Sequence, residues 1–133
     1  MKELPVDHVA IAVHDLAEAV PLYERLTGSR GSPPEEVASQ GVEIVFIGIL
    51  ELIQPTDPTG GVARFLERRG QGLHHIAYRV EDCAAALDRL TSEGFEAIDR
   101  VPRLGAGGHR VAFLHPKSTG GALIELVERV GSG

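Results

Sequence analysis

Two histidines and two glutamates stand at matching places in two copies of one sequence pattern. Asp7-His8-Val9-Ala10-Ile11-Ala12-Val13 is echoed by His74-His75-Ile76-Ala77-Tyr78-Arg79-Val80, and Leu50-Glu51-Leu52 is echoed by Ile124-Glu125-Leu126. A duplicated unit that supplies one imidazole and one carboxylate per copy is a plan for a metal site with two-fold pseudosymmetry. The donor set suits Zn, Co, Ni, Mn or Fe(II). No thiolate is placed to join it, which argues against a structural zinc site. The single cysteine, Cys83, falls on the apolar stripe of a helical segment and reads as a buried, inert thiol. Taken singly, each of the four donors has an ordinary reading. A histidine at a strand start is commonly a surface residue, and a glutamate between leucines is commonly the exposed side of a two-faced sheet. Recurrence at equivalent positions of a repeat carries the argument, because a buried carboxylate pair without a cation is costly.

Hydrophobic periodicity names the elements that must position these donors. A strand is predicted over about residues 6–13, then a helix with Leu16, Ala19, Val20 and Tyr23 on one stripe. Asp15 and Glu18 form a capping box at its start and Gly28 closes it. Pro21 inside it predicts a bend or a restart. Residues 29–40 read as a loop or weak edge strand. Strands follow at 41–47 and 50–54, joined by a tight turn at Gly48-Ile49. Pro55 to Gly61 is a linker, and a short helix over about 62–69 carries Val62, Phe65 and Leu66. The second copy opens with a strand from His75 to Val80 and a helix capped by Asp82, with Cys83, Ala86, Leu87 and Leu90 on its stripe and Gly94 at its end. A strand is predicted from Phe95 to Val101, a flexible turn over Gly105 to Gly108, and a closing hairpin from Arg110 to Leu114 and Ala122 to Val127. The order is strand, helix, three strands, twice over. It predicts an α+β fold in which two tandem βαβββ modules form a cupped, eight-stranded mixed sheet. Residues 1–133 are one domain, with module one at about 5–56, a linker and short helix at about 57–70, and module two at about 72–129.

Side chains alternate faces along a strand. The helix stripes claim Val9, Ile11 and Val13 in the first copy and Ile76, Tyr78 and Val80 in the second. That leaves His8, Ala10 and Ala12, and His75, Ala77 and Arg79, on the opposite face, so parity selects His75 over His74. Glu51 sits opposite Leu50 and Leu52, and Glu125 shares a face with Leu123 and Val127. The small alanines leave room for a ligand. One choice stays open at this level. A two-residue turn at Gly48-Ile49 pairs Phe46 with Glu51 and turns Ile44 to the cavity, whereas a three-residue turn presents Glu43 instead.

Bulk properties exclude other classes. A net charge of -6 over 133 residues argues against general nucleic-acid binding. Basic clusters at Arg64, Arg68, Arg69 and at Arg100, Arg103, Arg110, Lys117 leave an anionic small ligand open. No apolar run is long enough to span a bilayer. The first residues lack the apolar stretch of a secretory signal. With a single cysteine, these features lead to an expectation of a cytoplasmic protein.

The doubled histidine strands, with Glu51 and Glu125, resemble the vicinal oxygen chelate (glyoxalase/bleomycin resistance/dioxygenase) superfamily. Within it, Gly72-Leu73-His74-His75-Ile76-Ala77, the run Gly105-Ala106-Gly107-Gly108-His109-Arg110-Val111-Ala112-Phe113-Leu114-His115-Pro116-Lys117-Ser118, and Gly121-Ala122-Leu123-Ile124-Glu125-Leu126 are similar to the methylmalonyl-CoA epimerase family. The likeness covers residues 6 to 128. It implies paired βαβββ modules around a divalent metal, with Co²⁺ favoured and Zn²⁺, Ni²⁺ or Mn²⁺ as alternatives. The ligands it implies are His8, Glu51, His75 and Glu125, where the second position accepts Gln or Glu. It further implies a small-molecule acyl-CoA substrate, a homodimer, and proton abstraction alpha to the thioester through an enolate. Glu125 serves as one acid/base and Glu51 or Glu43 as the other. Lys117, Arg110 and the glycine loop are candidates for the substrate carboxylate or the CoA phosphates. The Gly48-Ile49 turn is several residues shorter than that family usually has. Glyoxalase I, which shares the ligand set, and a metal-free binding protein of the same fold are the other readings. The His115-Pro116-Lys117-Ser118 loop argues against glyoxalase, and retention of all four donors argues against the binding protein.

Overall fold

The computed structural model describes residues 3–131. The elements are β1 (Val6–Ala12), α1 (Leu16–Thr27), β2 (Glu35–Val37), β3 (Val42–Ile47), β4 (Leu50–Pro55), α2 (Gly61–Arg69), β5 (Gly72–Arg79), α3 (Cys83–Ser92), β6 (Arg103–Leu104), β7 (Arg110–Leu114) and β8 (Ile124–Glu128). Contacts divide them into a first unit, residues 8–74, and a second unit, residues 3–7 with 75–131. The strand order is β2-β3-β4-β1 in the first unit and β5-β8-β7-β6 in the second. In both, the opening strand runs parallel to the closing strand, β1 with β4 and β5 with β8, and the remaining pairs are antiparallel. The α+β class, the mixed strand pairing and the repeated strand-helix-three-strand order are those the sequence predicts.

In the first unit, Leu16 and Ala19 of α1 pack with Val13, Val45, Ile47 and Leu52. Asp15 caps the helix by accepting from Ala17 N at 2.9 Å. A second device was not anticipated: Gln54 Oε1, on β4, accepts from Leu16 N at 2.8 Å, filling one of the helix's first donors from the neighbouring strand. The second unit repeats it, with Glu128 Oε1 of β8 accepting from Cys83 N at 2.8 Å. Helix α1 runs through Pro21 as one uninterrupted segment, with no restart. It ends at Gly28, whose φ of 75° is the left-handed cap and whose N–H donates to Glu24 O.

The turn between β3 and β4 has two residues, since Ile47 pairs with Leu50 and Phe46 with Glu51. Gly48 at φ 61° takes the one positive-φ position that such a turn needs. Residues 42, 44 and 46 therefore share the face of Glu51, and Glu43 lies on the other, with Val45 and Ile47.

In the second unit Cys83 and Leu87 of α3 pack with Val80, Ala112, Leu114 and Leu126. Here the strand expected over Phe95 to Val101 is corrected. That segment makes only an isolated bridge, Ala97 with Leu114, and the paired strand is the short β6 further on. Asp99 explains the difference. Its Oδ2 accepts from Phe113 N at 2.8 Å, so a side chain takes the donor that a continuing ladder would use. No helix among the described residues is long and apolar enough to cross a membrane.

Cys83 is fully buried, and burial pushes its thiol up to about 11, with the Glu128 carboxylate adding to the shift. Native protein at pH 8 is therefore expected to resist a thiol-specific chromogenic reagent, and the unfolded chain to release one equivalent. Labelling of the folded protein at the rate of a free thiol would contradict the burial.

Candidate functional site

Each unit builds the same small constellation. In the first, parallel pairing sets Ala10 of β1 beside Glu51 of β4, and antiparallel pairing sets Phe46 of β3 across from Glu51. His8 Nε2 stands 3.4 Å from Glu51 Oε1. The Phe46 ring meets the imidazole edge-on, with centroids 5.5 Å apart and planes at 85°. In the second, Ala77 of β5 lies beside Glu125 of β8, and Phe113 of β7 lies across from it. His75 Nε2 stands 3.2 Å from Glu125 Oε1, and the Phe113 ring meets His75 edge-on at 5.2 Å and 89°. His8, Glu51 and His75 are each 6% exposed and Glu125 is 4% exposed, so all four donors are withdrawn from bulk water. From the sequence, a two-residue turn pairs Phe46 with Glu51, but Phe46 and Phe113 are not foreseen as ring contacts of the histidines. Their signal was their place in the repeat, each followed by the aliphatic residue that opens its hairpin.

These separations suit metal ligation. Nitrogen and oxygen donors lie about 2.0–2.2 Å from a transition ion, and adjacent donors on it therefore stand about 3–3.4 Å apart. The donors in each unit are already at that spacing. Imidazole with carboxylate is also the chemistry that borderline divalent ions take. Below each pair lies an apolar floor: Ile44 paired with Ile53 in the first unit, and Val111 paired with Val127, clustered with Ala77, in the second.

The other residues singled out in the sequence fall as follows. His74 is half-buried against Phe65, centroids 4.9 Å apart, on the side opposite His75. Glu43 pairs with Gln54 and Glu36 in register, on the helix-facing side of β3. Arg110 shares its face with Ala112 and Leu114, which pack on α3, and its Nη1 lies 3.2 Å from Glu128 Oε2. Lys117 is exposed on a single 3₁₀ turn, Pro116–Ser118, whose start is capped by His115 Nδ1 accepting from Lys117 N at 3.0 Å.

Comparison with known proteins shows the family to which the chain belongs. Residues 7–113 match the model of the Glyoxalase/Bleomycin resistance protein/Dioxygenase superfamily. An ethylmalonyl-CoA/methylmalonyl-CoA epimerase of Cereibacter sphaeroides is 40% identical over 127 residues, covering 91% of this chain and 95% of that one. A mitochondrial methylmalonyl-CoA epimerase of Dictyostelium discoideum is 38% identical over 129 residues, covering 93% and 78%. Among solved structures, a variant of the Streptomyces coelicolor methylmalonyl-CoA epimerase in complex with 2-nitronate-propionyl-CoA superposes with a TM-score of 0.93 at 32% identity, covering 98% of this chain and 97% of that one.

Proposed function

Because the chain belongs to the glyoxalase/bleomycin resistance protein/dioxygenase superfamily, we propose that it is a metal-dependent epimerase interconverting (2S)- and (2R)-methylmalonyl-CoA. The observation that carries the reading is the twice-built, buried His–Glu pair, at equivalent positions of the two units. His8, Glu51, His75 and Glu125 are the proposed ligands of a divalent ion, Co²⁺ first, with Zn²⁺, Ni²⁺ or Mn²⁺ as alternatives. Such an ion, when bound, supplies a Lewis acid where enolate charge develops.

The chain's own groups do the rest. Epimerisation removes the proton between thioester and carboxylate and returns one on the other face. That requires two acid/base groups, each within roughly 3 Å of the proton it handles. Glu125 is the proposed base on one side and Glu51 on the other. Glu51 is preferred to Glu43 because Glu43 lies on the helix-facing side of β3. The floor residues Ile44, Ile53, Val111 and Val127 are all at most 3% exposed, and they keep water from the carbon that bears the charge. Lys117, exposed beside the last strand, is the cation proposed for the CoA phosphates. Arg110 is committed to Glu128 on the α3 side and has no part in this proposal. The reading also includes a homodimer working in the cytoplasm.

The deciding assay offers purified protein two substrates: (2S)-methylmalonyl-CoA, and the hemithioacetal of glutathione and methylglyoxal. Epimerisation of the first and no turnover of the second is expected. Turnover of the hemithioacetal alone would replace this reading with glyoxalase chemistry.

A further inference from the structure

The second unit holds a charged cluster that the proposed chemistry does not use. Asp7 is buried, its side chain 2% exposed, and it lies between two guanidinium groups. Arg129 forks onto it, Nε to Oδ2 at 2.8 Å and Nη2 to Oδ1 at 3.2 Å, and Arg79 adds Nε to Oδ2 at 3.1 Å. One carboxylate thus faces two permanent cations. A guanidinium carries five N–H donors in a fixed fork. Arg79 spends one on Asp7, and Arg129 spends two. Both side chains remain about half exposed, at 50% and 42%, so the unspent donors reach solvent.

Strand register places Arg79 on the face of His75 and Glu125. Ala77 pairs with Glu125 and Arg79 with Val127, so Arg79 is one same-face rung beyond Glu125, about 7 Å along the strand. Arg129 follows the end of β8 and reaches the same Asp7 carboxylate. A surface cation that merely solubilises the protein has no need of a buried carboxylate to hold it. Here an inaccessible aspartate holds both guanidiniums, and Arg79 shares its rung with the buried Val127 and Val111, the apolar rung next to Glu125.

We propose that Arg79 and Arg129, braced on Asp7, form an oxyanion-binding subsite that takes an anionic group of the substrate. This rests on the acyl-CoA reading for the identity of the substrate, but not for the existence of the subsite. Carboxylate and phosphate share the chemistry that a guanidinium fork recognises. The single rung between Arg79 and Glu125 favours the acyl carboxylate, since the CoA phosphates lie much further from the reacting carbon.

The test uses Arg79→Gln first, because Arg129 then still covers Asp7 and the fold is kept. Arg129→Lys, which retains a charge but loses the fork, is the second variant. Steady-state rates are compared with methylmalonyl-CoA and with methylmalonyl-pantetheine, which lacks the phosphates. A KM raised about 10- to 100-fold with both thioesters, and kcat changed far less, supports the subsite and assigns it to the carboxylate. A rise confined to the CoA ester supports it and assigns it to a phosphate. An unchanged KM with both overturns it. Should the wild-type protein epimerise neither thioester, the functional reading fails on its own. Calorimetric titration of malonate and of inorganic phosphate then decides the subsite: weaker binding of either by Arg79→Gln than by wild type supports it, and equal or absent binding by both proteins overturns it.

Discussion

Glu125→Gln is expected to slow exchange of the C2 proton of methylmalonyl-CoA in D₂O by about 10²- to 10⁴-fold, the range that a positioned acid/base contributes. The substitution keeps the side chain's shape and removes its basicity, at a position with 4% exposure where water cannot stand in. Glu51→Gln is expected to slow epimerisation by a similar order, because its place beside Ala10 and across from Phe46 repeats that of Glu125. The discriminating control is Glu43→Gln. Glu43 lies on the side of β3 that bears Val45 and Ile47, so its loss should change the rate by less than about three-fold. Metal content is measured on all three proteins, so that loss of a ligand is told apart from loss of a base. Near-wild-type exchange in Glu125→Gln would remove that residue from the mechanism. A Glu43→Gln defect equal to that of Glu51→Gln would reverse the assignment of the second base.

Exhaustive chelation should abolish activity, and stoichiometric Co²⁺ should restore it. The same ion should also raise the unfolding temperature. Anything bound by the folded state alone stabilises by mass action, about 2.7 kcal/mol at an ion concentration 100 times Kd. For a chain of this size that corresponds to a shift on the order of 10 °C. His8→Ala and His75→Ala should each lose most of this shift, since each deletes an imidazole from a pair spaced for ligation at 3.4 Å or 3.2 Å. The thermal readout does not depend on knowing the substrate. Protein shown by elemental analysis to be metal-free, yet fully active and no more stable with added ion, would sink the metal reading.

Much of this was legible in the residues alone. The repeat, the His75-over-His74 choice, the caps at Asp15 and Asp82 and the stripe that buries Cys83 are consequences of alternation and helical period. They involve neighbours a few positions apart, which a sequence displays directly. The failures share a different cause. A strand was expected over Phe95 to Val101 because apolar residues alternate there, but the Asp99 side chain takes the Phe113 donor, a contact 14 residues away. Gln54 ends a predicted strand and Glu128 follows one, and their role of supplying acceptors to the starts of α1 and α3 spans 38 and 45 residues.

The amino-acid order by itself determined which side chains can reach the donor face of each strand, because backbone pleating repeats every two residues whatever surrounds it. Only the folded chain decided between Glu43 and Ile44, since that depends on the register of the β3–β4 hairpin, which a turn of two residues closes as Phe46 with Glu51. The folded chain likewise brought Asp7 to Arg79 and Arg129, across 72 and 122 residues. Charge pairing over such separations leaves no periodic trace in a sequence, because it is set by which strands become neighbours.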